Sequence, residues 1–142
     1  MDYCEWSESG ADYSLWGLSK LEDGILRLKK QRSGCILVEY PFGRAHPAIA
    51  PYLDCAIWID VPLDIALARR ALRDYLRRDP ARRAMKNPMA QLEQYFDDYL
   101  SRMRKADITH EATVRPGCDF MLDGTLPPDK MAEYAINYIS LL

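Results

Sequence analysis

The sequence predicts an α/β protein built on a mainly parallel sheet, and three observations predict it. Three short runs, CILVE at 35–39, CAIWIDV at 55–61 and CDFMLD at 118–123, are continuously apolar rather than alternating, the pattern of strands covered on both faces. Stretches with apolar residues at helical spacing separate them. Each run carries an acid at or near its end (Glu39, Asp60 and Asp123), and in parallel sheets ligands sit beyond the carboxyl ends of the strands.

The 142 residues suffice for one domain with its own core. The net charge of −2 gives no general field for polyanions, which argues against nucleic acid as a partner. The basic residues are nonetheless clustered: Arg69, Arg70, Arg73, Arg77, Arg78, Arg82 and Arg83 share one stretch. Cys4, Cys35, Cys55 and Cys118 show no metal-ligand spacing, and Cys35 and Cys55 open apolar runs as small core residues do. A reducing, cytoplasmic setting is expected. No apolar run approaches the roughly 18 residues of a membrane span, and the acidic start MDYCEW lacks the apolar stretch of a secretory signal.

Residues 2–18 are acidic, aromatic and poorly periodic, and predict loop with short helical turns. Ser19 and Glu22 match a capping box, and Leu21, Ile25 and Leu28 follow at helical spacing, so a helix is expected over 19–32 with Gly34 as its stop. The first strand is expected at 35–39. Pro41, Gly43, Pro47 and Pro51 break the chain into loop before the second strand at 55–61. Pro62 ends that strand, and Ile65, Ala68, Leu72, Tyr75 and Leu76 mark the apolar face of the next helix. Arg70, Arg73 and Arg77 occupy another stripe of it. Residues 79–87 predict a basic loop. Asn87 and Pro88 predict a cap and first turn, with a helix to Lys105. Residues 106–117 are expected as a connector, 118–123 as the third strand, and Pro127–Pro128 as the start of a last helix.

Glu39 at a strand end suits a carboxylate that holds Mg²⁺ through a water or acts as a base; equally it suits an acid that braces a loop. Tyr40 and Phe42 offer rings for stacking, and Arg44 and His46 can donate to sugar or phosphate oxygens. A lone histidine such as His46 also suits a structural role. The arginine helix is the strongest constellation, because guanidinium is suited to bidentate phosphate recognition, with Asp74 placed to orient Arg70. The alternatives are a solvated face of intrahelical pairs, or RNA binding, for which no aromatic platform is evident.

Three stretches, ILVEYPFGRAH, IWIDVPLDIALARRALRDYLRR and DFMLDGTLPP, resemble the uridine kinase family of small P-loop kinases, and DYCEWSESGADYSLW resembles the acidic, aromatic segment of those enzymes. The resemblance covers most of the chain. It implies a three-layer α/β/α P-loop NTPase-like fold, a single domain over 1–142 and a lid at 79–87. The implied activity is transfer of the ATP γ-phosphoryl group, with Mg²⁺, to a nucleoside or related small-molecule hydroxyl. By position, Asp2 matches the acid that accepts the substrate proton, and Glu39 the acid near the metal. Arg69, Arg70, Arg73 and Arg77 match arginines on the ATP phosphates. Tyr40, Phe42, Arg44 and His46 fall beside the acceptor pocket.

No G-x-x-x-x-G-K-S/T motif occurs in the sequence. In the family it precedes the acidic, aromatic segment, with its strand and helix taking roughly 30 residues. The fold is therefore expected to be N-terminally incomplete, with an unfilled slot between 35–39 and 55–61. Without that loop the chain alone is expected to be inactive. The expected explanations are a fragment or internal start, a remnant that binds nucleotide or a protein partner, or a second polypeptide supplying the loop. A homodimer through the uncovered sheet belongs to the remnant alternative.

Overall fold

The computed structural model describes residues 3–31, 34–76 and 87–142. Its elements in chain order are α1 (Tyr3–Glu8), α2 (Ser19–Lys30), β1 (Ile57–Asp60), α3 (Leu63–Ala71), α4 (Pro88–Asp98), α5 (Arg104–Val114), β2 (Phe120–Asp123) and α6 (Pro128–Ile139). Single 3₁₀ turns lie at Tyr13–Leu15, Gly43–Ala45, Ala50–Tyr52 and Arg115–Gly117. The described residues are mostly helical around a two-stranded parallel sheet, an α/β arrangement.

In the sheet, β1 and β2 pair from Ile57 with Phe120 to Asp60 with Asp123, so both strands end together on a carboxylate. Parallel strands cannot be joined by a tight turn, and the chain between these two holds α3, α4 and α5. Among the described residues two π-helical turns interrupt that crossover: Leu72–Leu76 continues α3, and Tyr99–Met103 joins α4 to α5 in one helical path. Asn87 caps α4 as predicted, its Oδ1 accepting from the Ala90 N–H at 3.2 Å with Pro88 in the first turn.

The core is aromatic and joins elements distant in sequence. Trp6 is 0% exposed and stacks on Tyr13 with ring centroids 4.2 Å apart. Tyr13 packs in turn on Phe42 at 4.7 Å, and Val114 of α5 completes the buried cluster. On the other side Phe120 of β2 stacks on Tyr138 of α6 at 4.4 Å.

Four expectations are corrected. Residues 35–39 form no ladder and no regular element, and Leu37 is 86% exposed. A strand exists only by pairing, and the one ladder among the described residues is taken by β1 and β2. Nor is this sheet covered on both faces: Ile59 is 55% exposed and Met121 41%. The capping box is absent too, since Ser19 is already helical and Leu18 holds the cap position without a side-chain bond. Glu22 instead accepts the Tyr52 hydroxyl at 2.9 Å. Finally, the connector expected at 106–117 is helix as far as Val114. The expected lid at 79–87 lies outside the described residues apart from Asn87, as do Asp2 and Arg77.

Trp6→Ala is expected to cost about 3–5 kcal/mol, because it empties a fully buried ring site. Leu37→Ser, on an exposed extended segment, should stay within about 0.5 kcal/mol. Urea unfolding of the two variants measures both, and equal losses would contradict the placement of the core.

Candidate functional site

An open cleft of about 280 Å³ lies at the carboxyl end of β1. Trp58, Ile59 and Asp60 form its floor, and Leu63, Ala66, Leu67 and Arg70 come from α3. Tyr95 and Tyr99 close one side, and Asp107, His110 and Glu111 line it from α5. The last three are spaced i, i+3 and i+4, so a single face of α5 presents them.

Most of the polar groups are held by protein partners. The Arg70 guanidinium lies over the Tyr95 ring at 5.5 Å, and its Nε approaches Asp74 Oδ2 at 3.7 Å. Arg115 bridges two acids, donating from Nη1 to Glu111 Oε1 at 2.7 Å and from Nη2 to Asp60 Oδ2 at 3.1 Å. It thereby ties the end of α5 to the end of β1. His110 is bonded at two points: its Nδ1 lies 2.5 Å from the Tyr13 hydroxyl, and its ring bonds the Pro41 carbonyl. Burial pushes its pKa down, partly opposed by the Pro41 carbonyl.

Asp107 differs from its neighbours. It has no hydrogen bond or ion pair among the described residues. Burial pushes its carboxyl pKa up, and the Arg70 charge opposes that rise only in part.

The predicted site residues divide between two ends of the sheet. Arg70 lines the cleft. Arg69 donates from Nη1 to the Gly124 carbonyl at 2.6 Å, just past β2. Arg73 forms a bidentate pair with Asp74, at 2.7 and 3.1 Å, on the exposed side of the helix. Glu39 is exposed on the unpaired segment. Tyr40, Phe42, Arg44 and His46 do not line the cleft, because each is used by the fold. The Tyr40 hydroxyl donates to the Gly43 carbonyl, and Phe42 is core. His46 is 2% exposed; its Nδ1 accepts the Ala48 N–H at 3.3 Å, so Nε2–H donates to the Trp16 carbonyl at 2.9 Å. Arg44 donates to Asp119 Oδ2 at 2.5 Å and to the carbonyls of Gly117, Leu53 and Asp54.

Asp107, His110 and Glu111 fall in the stretch expected as a connector. The signal for them was present: Tyr99, Met103, Ala106, His110 and Val114 continue an apolar stripe at spacings of three and four. Among the described residues no three acids, histidines or cysteines converge as metal ligands. No helix of the described residues is long and apolar enough to cross a membrane. No family model, curated protein or solved structure matches this chain.

His110 gives a pH prediction. Its folded pKa lies below the ordinary imidazole value, so on acidification the unfolded chain binds a proton that the folded chain resists. Stability should be full above the ordinary value and fall below it. Thermal melts at about pH 7.5 and about pH 5.5 should show a drop that His110→Gln reduces. An equal drop in the variant would show that other groups carry the pH dependence.

Proposed function

We propose that the chain is a uridine kinase-like phosphotransferase module that holds a nucleotide at the carboxyl end of β1. The observation that carries this reading is the place of Arg70. Its guanidinium stands at the wall of a cleft beyond the end of a parallel strand, backed by the Tyr95 ring and oriented by Asp74. Ligands of open parallel sheets lie at that end. A planar guanidinium offers two parallel donors to a phosphate. Trp58, Tyr95 and Tyr99 give the cleft aromatic walls.

ATP is the phosphate donor in this reading, and Mg²⁺ its companion ion. The described residues do not build a Mg²⁺ cage: Glu39 is outside the cleft lining, and Asp60 is already held by Arg115. No step of the reaction is therefore assigned to the metal here. Phosphoryl transfer needs donors that neutralise charge on the moving group, and the family takes them from a glycine-rich loop that this sequence does not contain. This polypeptide by itself binds nucleotide without turning it over.

A second reading, a nucleotide-binding or interaction remnant that self-associates, draws on the open edge of β1. That edge has no strand partner among the described residues, and the half-exposed Ile59 lies on this strand.

Isothermal titration of the chain with Mg²⁺ and ATP tests the first reading. Arg70→Ala should weaken binding by about tenfold to a hundredfold, the range for losing a charged hydrogen bond. No phosphate should be released from ATP by the chain alone. Binding that is absent, or that ignores Arg70→Ala, would overturn the reading.

A further inference from the structure

We infer that Asp107 is the residue by which the cleft selects its organic ligand: its carboxylate accepts a hydrogen bond from an N–H or O–H group of a nucleoside lying between the aromatic walls. This rests on the nucleotide reading of the cleft and goes beyond it, since that reading assigns only the phosphate end.

The inference follows from an account of the acids, the arginine and the histidine that line the cleft. Asp60 and Glu111 share Arg115, at 3.1 and 2.7 Å. Arg70 has Asp74 and the face of Tyr95. His110 has the Tyr13 hydroxyl and the Pro41 carbonyl. Asp107 has no hydrogen bond or ion pair among the described residues, only the nearby charge of Arg70. It is half-buried on α5, beside Tyr95 and Tyr99, whose own ionisation it opposes.

A carboxylate drawn out of water without a hydrogen bond costs stability. A ligand donor would offset that cost, and the cleft has the room for it. The sign of the ligand group also follows. Three carboxylates line the cleft against the single guanidinium of Arg70 in its lining. A phosphate next to Asp107 would meet like charge, so the phosphates lie toward Arg70 and the uncharged end toward Asp107. Two sources can supply the donor: the exocyclic amine of a base, or a ribose hydroxyl.

The test is calorimetric titration of the whole chain, wild type, Asp107→Asn and Asp107→Ala, with adenosine, purine riboside, 2′-deoxyadenosine and Mg²⁺-tripolyphosphate. Both variants should bind adenosine about tenfold more weakly. A base amine as the source predicts that wild type prefers adenosine to purine riboside and that Asp107→Asn loses the preference. A ribose hydroxyl predicts that adenosine and purine riboside bind alike and 2′-deoxyadenosine weakly. Tripolyphosphate should bind the Asp107 variants as well as wild type, or better, while Arg70→Ala weakens it. Asp107→Asn should melt no lower than wild type, because it removes a desolvated charge.

Nucleosides that bind wild type and both variants alike would overturn the inference and leave the phosphate reading standing on the tripolyphosphate result. Wild type that binds tripolyphosphate but no nucleoside overturns the inference alone. Wild type that binds neither overturns both. A melting point for Asp107→Asn well below wild type would also overturn the inference, since it would make the carboxylate a brace of the fold.

Discussion

The parallel pairing of β1 with β2 is the constraint on which the rest depends. It obliges the chain to leave β1 at its carboxyl end and travel back to the amino end of the sheet before entering β2, and α3, α4 and α5 lie on that path. The cleft is a product of it. Its floor is β1, one wall is the outgoing α3, and the other is the returning α5. Arg115, just past α5, closes the circuit by bonding Asp60 at the end of β1. The returning helix is also anchored in the aromatic core, through Val114 and through the His110 bond to Tyr13. The site and the core therefore share α5.

The two ends of the sheet are treated differently. At the amino end, Asp119 accepts the Ala56 N–H at 2.7 Å and the Arg44 guanidinium at 2.5 Å, and both hold its carboxyl below the usual range. Arg44 meanwhile donates to three backbone carbonyls. That end is closed by its own bonds and offers a ligand little. At the carboxyl end, Arg69 takes the Gly124 carbonyl while Arg70, one residue on, faces the cleft. Adjacent residues on a helix point about 100° apart, so neighbouring arginines can serve packing and binding separately.

How much of this was legible in the sequence follows the same division. The runs at 57–60 and 120–123 were legible because continuous apolar residues bounded by Pro62 and Gly124 leave few options. Asn87 with Pro88 was legible as a local cap needing no tertiary context. Residues 35–39 carry the same apolar signature and yet pair with nothing, because pairing depends on a neighbouring strand that local pattern cannot supply. Ser19 and Glu22 failed for a similar reason: Tyr52, distant in sequence, claims the Glu22 carboxylate. Arg44 was legible as an important polar residue but not as a structural one, whereas for His46 a structural role stood beside the binding one. Their partners are backbone carbonyls, which every sequence has and none advertises. The face of α5 was obscured by Thr109 and Thr113, weak helix formers whose cost the packing of Ala106 and Val114 offsets.

The arrangement of charge in the cleft sets limits on its occupant that neither fold nor composition sets. The planar guanidinium of Arg70 can lie on the Tyr95 ring while its edge still faces the cleft. Lysine would bring the charge without the plane, and so without the simultaneous stack and fork. Arg115 is already used to neutralise Asp60 and Glu111, so it cannot also serve an anionic ligand without releasing them. The cleft is thus polar in two halves, a cationic rim at Arg70 and an acceptor wall at Asp107. A ligand that fits both must carry negative charge at one end and hydrogen-bond donors at the other, with a flat apolar body between to meet the aromatic rings. On the reading proposed above, a nucleotide supplies that distribution, with phosphates for Arg70, donors for Asp107 and a flat base for the rings.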